Sequence, residues 1–332
     1  MNQSEAERGG LGVESLPGDA PPPEAAAGDD LERMRTALEA SGEYRVLRRL
    51  APRAGYGDPA RLPSGTRLYR ALYLDTETTG FDSRSDKVIE LAMLRFEYDA
   101  EGNVYGVQEL YDAFEDPGRP LPDEVVGLTG ITDDDVRGRR FDDAAVEDSA
   151  NGADLVIAHN AAFDRPFMEK RFPVFKGKPW ACSSRDIGWR ALGFRSSSLE
   201  FLAFRRGFYY DAHRALIDCR AGLELLAVPL TEGEAPPMRL LRANAAKRTA
   251  RLWAESAPFE KKDVVKARGY RFNGVGRVWW TDVPAEALDE ELAWLAAEVY
   301  ETRRPLPHLE YGALERYSAR VPEAPPNGLP RR

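Results

Sequence analysis

Leu68-Tyr69-Arg70-Ala71-Leu72-Tyr73-Leu74-Asp75-Thr76-Glu77-Thr78-Thr79-Gly80 is the stretch that decides the fold. Its apolar run, closed by acids and a glycine, predicts a buried strand ending at Asp75. Lys87 to Tyr98 and Val104 to Phe114 read as two further strands, and Asp99-Ala100-Glu101-Gly102-Asn103 between them predicts the turn of an antiparallel hairpin. Pro122 to Leu128 and Thr132 to Val136 read as short helices. Leu155-Val156-Ile157-Ala158 is wholly apolar, as in a strand covered on both faces of a parallel sheet, and Ala162 to Arg171 continues as a helix. Ser198 to Arg206 and His213 to Ala227 read as helices, the latter with Leu216, Cys219, Leu223 and Leu226 on one face. Strands followed by alternating helices and a strand predict an α/β layered domain over residues 67–230.

Outside that domain the composition changes. Residues 1–30 carry Pro17, Pro21, Pro22 and Pro23 among Gly, Ala and scattered acids, too little apolar surface to offset ordering entropy, so a disordered tail is expected. Residues 31–66 are expected to hold two short helices, the second ended by Ala51-Pro52. Residues 231–320 form a basic accessory region: from Arg239 to Trp280 there are eleven Lys or Arg against three acids. Within it Val278-Trp279-Trp280 reads as a strand and Pro284 to Tyr300 as a helix, giving a small α+β appendage. A Pro-rich flexible tail, 321–332, is expected to close the chain.

Over its 332 residues the chain has a net charge of −9, which argues against indiscriminate tight binding to phosphates. A local basic patch matters more than the total. Cys182 and Cys219 have no zinc-type spacing and read as reduced, buried thiols. No apolar run approaches the ~20 residues of a membrane span, and the acidic start has no apolar h-region, so a cytoplasmic protein with no membrane contact is expected.

Three clusters carry chemistry. Asp75 and Glu77 lie two apart at a strand end, so their side chains share one side and can converge on a cation. Asp164, in His159-Asn160-Ala161-Ala162-Phe163-Asp164, lies on the first turn of the next helix. His213 and Asp218 are expected at one end of the last helix. Each alone has a plainer reading as a turn cap or helix-dipole partner. Together they place four carboxylates and a histidine on element ends that an α/β sheet gathers.

In this order and spacing, Asp-x-Glu-Thr-Thr-Gly, His-Asn-Ala-x-Phe-Asp and His-x-x-x-x-Asp resemble the DEDD exonucleases of the RNase H-like fold. The likeness is to the histidine-bearing, DnaQ-like branch, which includes the proofreading epsilon subunit of DNA polymerase III. It covers residues 69 to 230. The sister branch would place Tyr at Arg214. The resemblance implies a mixed five-stranded sheet flanked by helices, 3′-to-5′ hydrolysis of phosphodiester bonds and two Mg²⁺ or Mn²⁺ ions. Asp75 would bridge the ions, Glu77 and Asp218 would complete the first, Asp164 would hold the second, and His213 would act as general base. It also implies substrate contacts: backbone N–H groups from Thr78 to Gly80, Leu128 as a wedge between bases, Asn160 and Phe163 lining the sugar and base pocket. Thr129 stands where the epsilon subunit has histidine.

The partner expected is a single-stranded or 3′-end nucleic acid, DNA favoured over RNA, with a polymerase or other protein as a further partner. An RNA-processing exonuclease is the nearest rival, because the motifs do not report how the pocket treats a 2′-hydroxyl. A vestigial binding module is the rival of another class. The basic segment interleaves cations with Trp253, Tyr270, Phe272, Trp279 and Trp280, a composition suited to phosphates and base stacking; the alternatives are an aromatic core or a protein-docking surface.

Overall fold

The computed structural model of the chain describes residues 28–329, so most of the expected N-terminal tail lies outside the described residues. Residues up to Leu47 form a unit of their own, whose described part contains helix α1 (Gly28–Ala40), crossed by i,i+3 and i,i+4 ion pairs from Arg33 and Arg35. The expected second helix is absent. Arg48–Arg49 instead forms strand β1, and the chain runs on in extended form past Pro52, with Leu50 and Tyr56 packed on the core of the second unit. The reason is tertiary: the open backbone of Phe208–Tyr209 offers hydrogen bonds to β1, and Pro52 cannot continue a helix.

The second unit runs from Arg48 onward. Its elements are β2 (Tyr69–Thr78), β3 (Val88–Tyr98), β4 (Val104–Phe114), α2 (Asp123–Thr129), α3 (Asp133–Val136), α4 (Asp143–Asn151), β5 (Leu155–Ala158), α5 (Ala161–Arg171), β6 (Trp180–Cys182), α6 (Leu199–Arg206), β7 (Phe208–Tyr209), α7 (Ala215–Ala227) and α8 (Pro237–Ala245). Strands β4-β3-β2-β5-β6 form one five-stranded mixed sheet, with β3 antiparallel to both neighbours and β5 and β6 parallel to β2. This is the expected α/β architecture, a mixed five-stranded sheet flanked by helices. Alternation along β2 assigns its two faces: Ala71 and Tyr73 pack with α6, α7 and α8, while Leu72 and Leu74 pack with α4 and α5. Each buried Leu or Phe in these layers contributes about 1.5–3 kcal/mol. Helix α7 comes unusually close to β2 because Gly222 faces Tyr73; a Cβ at Gly222 would lie 1.9 Å from the Tyr73 hydroxyl.

Beyond α8 lies a C-terminal lobe of β8 (Thr249–Ala254), α9 (Lys262–Ala267), β9 (Arg271–Asn273), β10 (Val278–Pro284), α10 (Leu288–Glu298) and β11 (His308–Tyr311). Its four strands form an antiparallel sheet in the order β11-β8-β10-β9. Ala250, Leu252 and Ala254 bury one face under α9 and α10. The other face carries Arg251, Trp253 and Trp280, and the expected loose tail covers part of it. Arg251 Nη1 donates to the carbonyl of Pro322 at 3.1 Å, Trp253 Nε1 to that of Glu323 at 2.9 Å, and Ala324 and Leu329 pack on Trp253, Val278 and Trp280. Residues 321–329 are therefore seated, because exposed Trp surface favours a cover.

The loop before that tail joins the lobe to the sheet domain. Arg165 of α5, fully buried, donates to the carbonyls of Ala313 at 3.0 Å and Arg316 at 2.6 Å and to Glu169 at 2.7 Å. Glu169 also accepts from Ser318 at 2.8 Å and Arg320 at 3.1 Å. Among the described residues no helix is long and apolar enough to cross a membrane.

Candidate active site

Strand alternation decides how the acids meet. Asp75 and Glu77 follow Tyr73 onto the α7 side of the sheet, where Asp218 stands on the first turn of α7. One carboxylate oxygen from each of Asp75, Glu77 and Asp218 lies within 4.8 Å of the others. Thr76 points the opposite way, toward α5. Its N–H and hydroxyl donate to Asp164 Oδ1 at 3.2 and 2.8 Å, which fixes Asp164 from the far side of the strand. The four acids thus approach one strand end from two layers, three from one side and one from the other.

The register of β2 against β3 shifts between Glu77 and Thr78, where the strand leaves the sheet. Opposite Glu77 sits Glu90, wholly buried, which sequence reading passed over as part of an apolar strand. Glu90 accepts from Arg214 Nε and from the N–H of Ala215, both at 3.1 Å, and so ties down the start of α7. Asp218 Oδ2 accepts from the Arg214 N–H at 3.1 Å. Both contacts act on the turn that holds His213. The expectation that His213 begins the helix is corrected: α7 starts at Ala215, and His213 stands before it in the left-handed region at φ 66°, its side chain exposed. A non-glycine residue holds that conformation at a cost of order 1 kcal/mol, and the Glu90 and Asp218 bonds offset it.

The acids are poised against ionisation. Burial pushes the Asp75 carboxyl well above the ordinary range, and the charges of Asp164, Asp218 and Glu77 add to the effect. Burial and then the Asp218 charge raise Glu77 to about 8. Burial also raises Asp164 against the hydrogen bonds from Thr76, and raises Asp218 against the backbone bond from Arg214. Among the described residues no Lys or Arg forms an ion pair with any of the four. The buried hydroxyl of Tyr210 lies beside Asp218, another neighbour that the sequence did not reveal.

The expected substrate contacts divide. Leu128, in the last turn of α2, is 53% exposed. Thr129 is buried, and its hydroxyl donates to the carbonyl of Val125 at 2.8 Å and accepts from the N–H of Ile131 at 3.1 Å, so its polar capacity is spent on closing α2. Thr78 turns its hydroxyl to the carbonyl of Gly80 at 2.6 Å, and the Thr79 N–H donates to the carbonyl of Lys87 at 2.9 Å. Gly80 has a structural reason of its own: a Cβ there would meet the Asp86 carboxylate at 2.5 Å. Asn160 is exposed in the left-handed region, its Oδ1 accepting from Arg185 at 3.3 Å. Phe163 packs on Phe167, and Phe81 meets its edge, ring centroids 6.2 Å apart. Phe81 is 89% exposed and directly follows the Thr-Thr-Gly motif; an aromatic there was the available signal, and it went unread. His159 takes no part in the acid cluster. Its ring lies between the Ser183 hydroxyl at 2.9 Å and the Ser197 carbonyl at 2.8 Å, and burial pushes it down to about 4.

Residues 72–226 match the family described as exonuclease. The chain is 37% identical over 100 residues to a PolC-type DNA polymerase III of Listeria innocua, covering 30% of this chain and 6% of that protein. It is 32% identical over 161 residues to that of Bacillus subtilis, covering 46% and 11%. The chain therefore spans about a tenth or less of the length of these relatives. Among solved structures, exonuclease X in complex with 5′-overhanging duplex DNA aligns with a TM-score of 0.36 and 22% identity, covering 51% of this chain and 99% of that one. Escherichia coli exonuclease I in complex with a dA16 oligonucleotide aligns with a TM-score of 0.44 and 16% identity, covering 67% and 66%. The match over residues 72–226, together with the motifs and the five-stranded mixed sheet that carries them, marks that part of the chain as a DnaQ-like exonuclease domain.

Proposed function

We propose that the protein is a 3′-to-5′ exonuclease that hydrolyses the terminal phosphodiester bond of a nucleic-acid strand and releases nucleoside 5′-monophosphates, with DNA as substrate in a proofreading or repair setting. The observation that carries this reading is the meeting of Asp75, Glu77 and Asp218 within 4.8 Å, with Asp164 brought up from the opposite layer.

The donor set fits Mg²⁺ or Mn²⁺: all ligands are hard carboxylate oxygens, and no thiol or imidazole joins them. Carboxylates crowded together at a partly buried site are under electrostatic load, which a divalent ion relieves. Asp75, Glu77 and Asp218 would hold one ion, and Asp75 and Asp164 the second. Such a pair, when bound, stabilises the attacking and leaving oxygens of an in-line displacement. His213, an exposed imidazole in the turn that leads into α7 and Asp218, takes the proton of the attacking water. Its neutral form is the active one. Leu128 and Phe163 position the terminal base, with Phe81 at the edge of Phe163, and Asn160 the sugar.

The DNA polymerases among the relatives favour DNA over RNA and suggest a polymerase partner. A time course on 3′-labelled and 5′-labelled oligonucleotides, as matched DNA and RNA, tests the reading. Mononucleotides should appear first from the 3′ end, only with Mg²⁺ or Mn²⁺, and not with Asp75→Ala. Product from the 5′ end, or equal rates with chelator, would refute it.

A further inference from the structure

Between the sheet domain and the C-terminal lobe lies a cleft of about 860 Å³, near the upper end of the ~300–1,000 Å³ that encloses a drug-sized ligand. One wall is Ala162 and Pro166 of α5 with Arg185; the facing wall includes Lys247, Arg248, Arg271 and Trp280. The cleft adjoins the expected substrate residue Asn160. Arg185, in its wall, donates to Asn160 Oδ1 at 3.3 Å.

The lining acids are already satisfied within the walls. Asp282 takes both guanidinium nitrogens of Arg251, at 2.8 and 2.7 Å, Asp186 accepts from the Tyr317 hydroxyl at 2.6 Å, and Glu323 accepts from Asn273 at 2.9 Å. Arg185, Lys247 and Arg271 are exposed and have no carboxylate partner among the described residues. The cleft therefore presents uncompensated positive charge, in a chain of net charge −9, beside the one place where a polyanion would be cut. Its charge is held on a fixed frame, because Arg316 bridges the carbonyl of Asn244 at 3.2 Å and the Thr249 hydroxyl at 3.1 Å.

The aromatic residues of the lobe do not offer stacking surfaces here. Trp253 and Tyr270 are buried, and the faces of Trp280 are taken by Arg251 at 3.9 Å and Arg271 at 5.4 Å. We infer that this cleft is the track for the phosphodiester backbone of a single strand whose 3′ end lies among Asp75, Glu77, Asp164 and Asp218, gripped through its phosphates without regard to base. The inference rests on the exonuclease reading and adds to it a substrate class: strands of several nucleotides, held upstream of the cut.

The test uses the full chain and the double variant Lys247→Glu/Arg271→Glu. Two substrates are compared, dT20 and the p-nitrophenyl ester of thymidine 5′-monophosphate, which is too short to reach the cleft. The ratio of kcat/KM on dT20 to that on the ester should fall at least about tenfold. The slope of log(kcat/KM) on dT20 against log[salt] should flatten by about 1.4, the ~0.7 per phosphate contact expected for a single strand. Without metal, the anisotropy of fluorescein-labelled dT20 should report a matching rise in Kd, and dA20 should behave alike. A ratio and Kd within twofold of wild type would overturn the track, as would a loss confined to one base. If the wild type binds dT20 through these residues but cleaves neither substrate with Mg²⁺ or Mn²⁺, the exonuclease reading falls and the cleft stands.

Discussion

Helix α5 carries buried charge on two sides, and the two sides are finished differently. Toward the sheet end, Asp164 joins Asp75, Glu77 and Asp218 with no basic ion-pair partner among the described residues. Toward the C-terminal loop, Arg165 and Glu169 are equally buried, yet every charge there meets an opposite charge or a carbonyl. A buried charge left without a partner costs several kcal/mol, so a fold retains such a group where something else completes it. The loop junction is complete as protein alone; the acid cluster, on the proposed reading, is completed by cations. One is architecture and the other is chemistry.

The largest test of this contrast is Asp75→Ala. Turnover should fall by ~10³-fold or more, the several kcal/mol that metal-ion stabilisation supplies, while the metal-free protein melts no lower than wild type. A marked loss of stability instead would make the cluster architectural. Arg165→Ala should do the reverse, costing about 3 kcal/mol in urea unfolding by leaving Glu169 with fewer partners, with kcat of the folded fraction changed far less.

His213→Ala, which leaves the acids intact, should lower kcat by about 10²-fold with KM nearly unchanged. The acid cluster should also show itself in pH dependence. The folded pKa of Glu77, about 8, lies above its unfolded value, so folding favours the protonated form. The penalty for ionising it is absent below the unfolded value, grows as pH rises and is complete above about 8. Metal-free protein should therefore lose stability from pH 5 to 8. Partial exposure of Glu77 limits the loss to about 1 kcal/mol, a fall in Tm of about 2–4 °C. Glu77→Gln should flatten the profile, and millimolar Mg²⁺ or Mn²⁺ should reverse the fall. An unchanged calorimetric profile in the variant would assign the load elsewhere. Glu90 is the intermediate case, an acid beside the cluster but bonded to Arg214 and Ala215. Glu90→Gln should cost about 1 kcal/mol and reduce kcat only several-fold, through the position of His213.

Much of the sheet domain was legible in sequence. Strands β3 and β4 and helix α5 appear within a residue of the expected bounds, because long apolar runs, a turn-forming Asp99–Asn103 and an acid-led helix are local signals. Strand β1 and the three-residue β6, like β9 and β11, were not read. Segments of two to four residues become strands through partners far away in the chain, and nothing local marks them. The aromatic residues of the lobe show the same limit. Composition cannot distinguish Trp253, which is fully buried, from Phe272, which is 53% exposed.

The sequence by itself determined which groups could do chemistry and that Asp75 and Glu77 share a side, since the period of a strand is set by covalent geometry. Only the tertiary structure decided that Asp218 arrives on that side through α7 while Asp164 arrives from the other through Thr76. It alone decided that His213 stands outside its helix, that Thr129 spends its hydroxyl on its own turn, and that the loop after β11 closes over Arg165. These outcomes depend on distances between segments tens of residues apart, and on which charges find partners there. Packing sets both, and no local pattern encodes either.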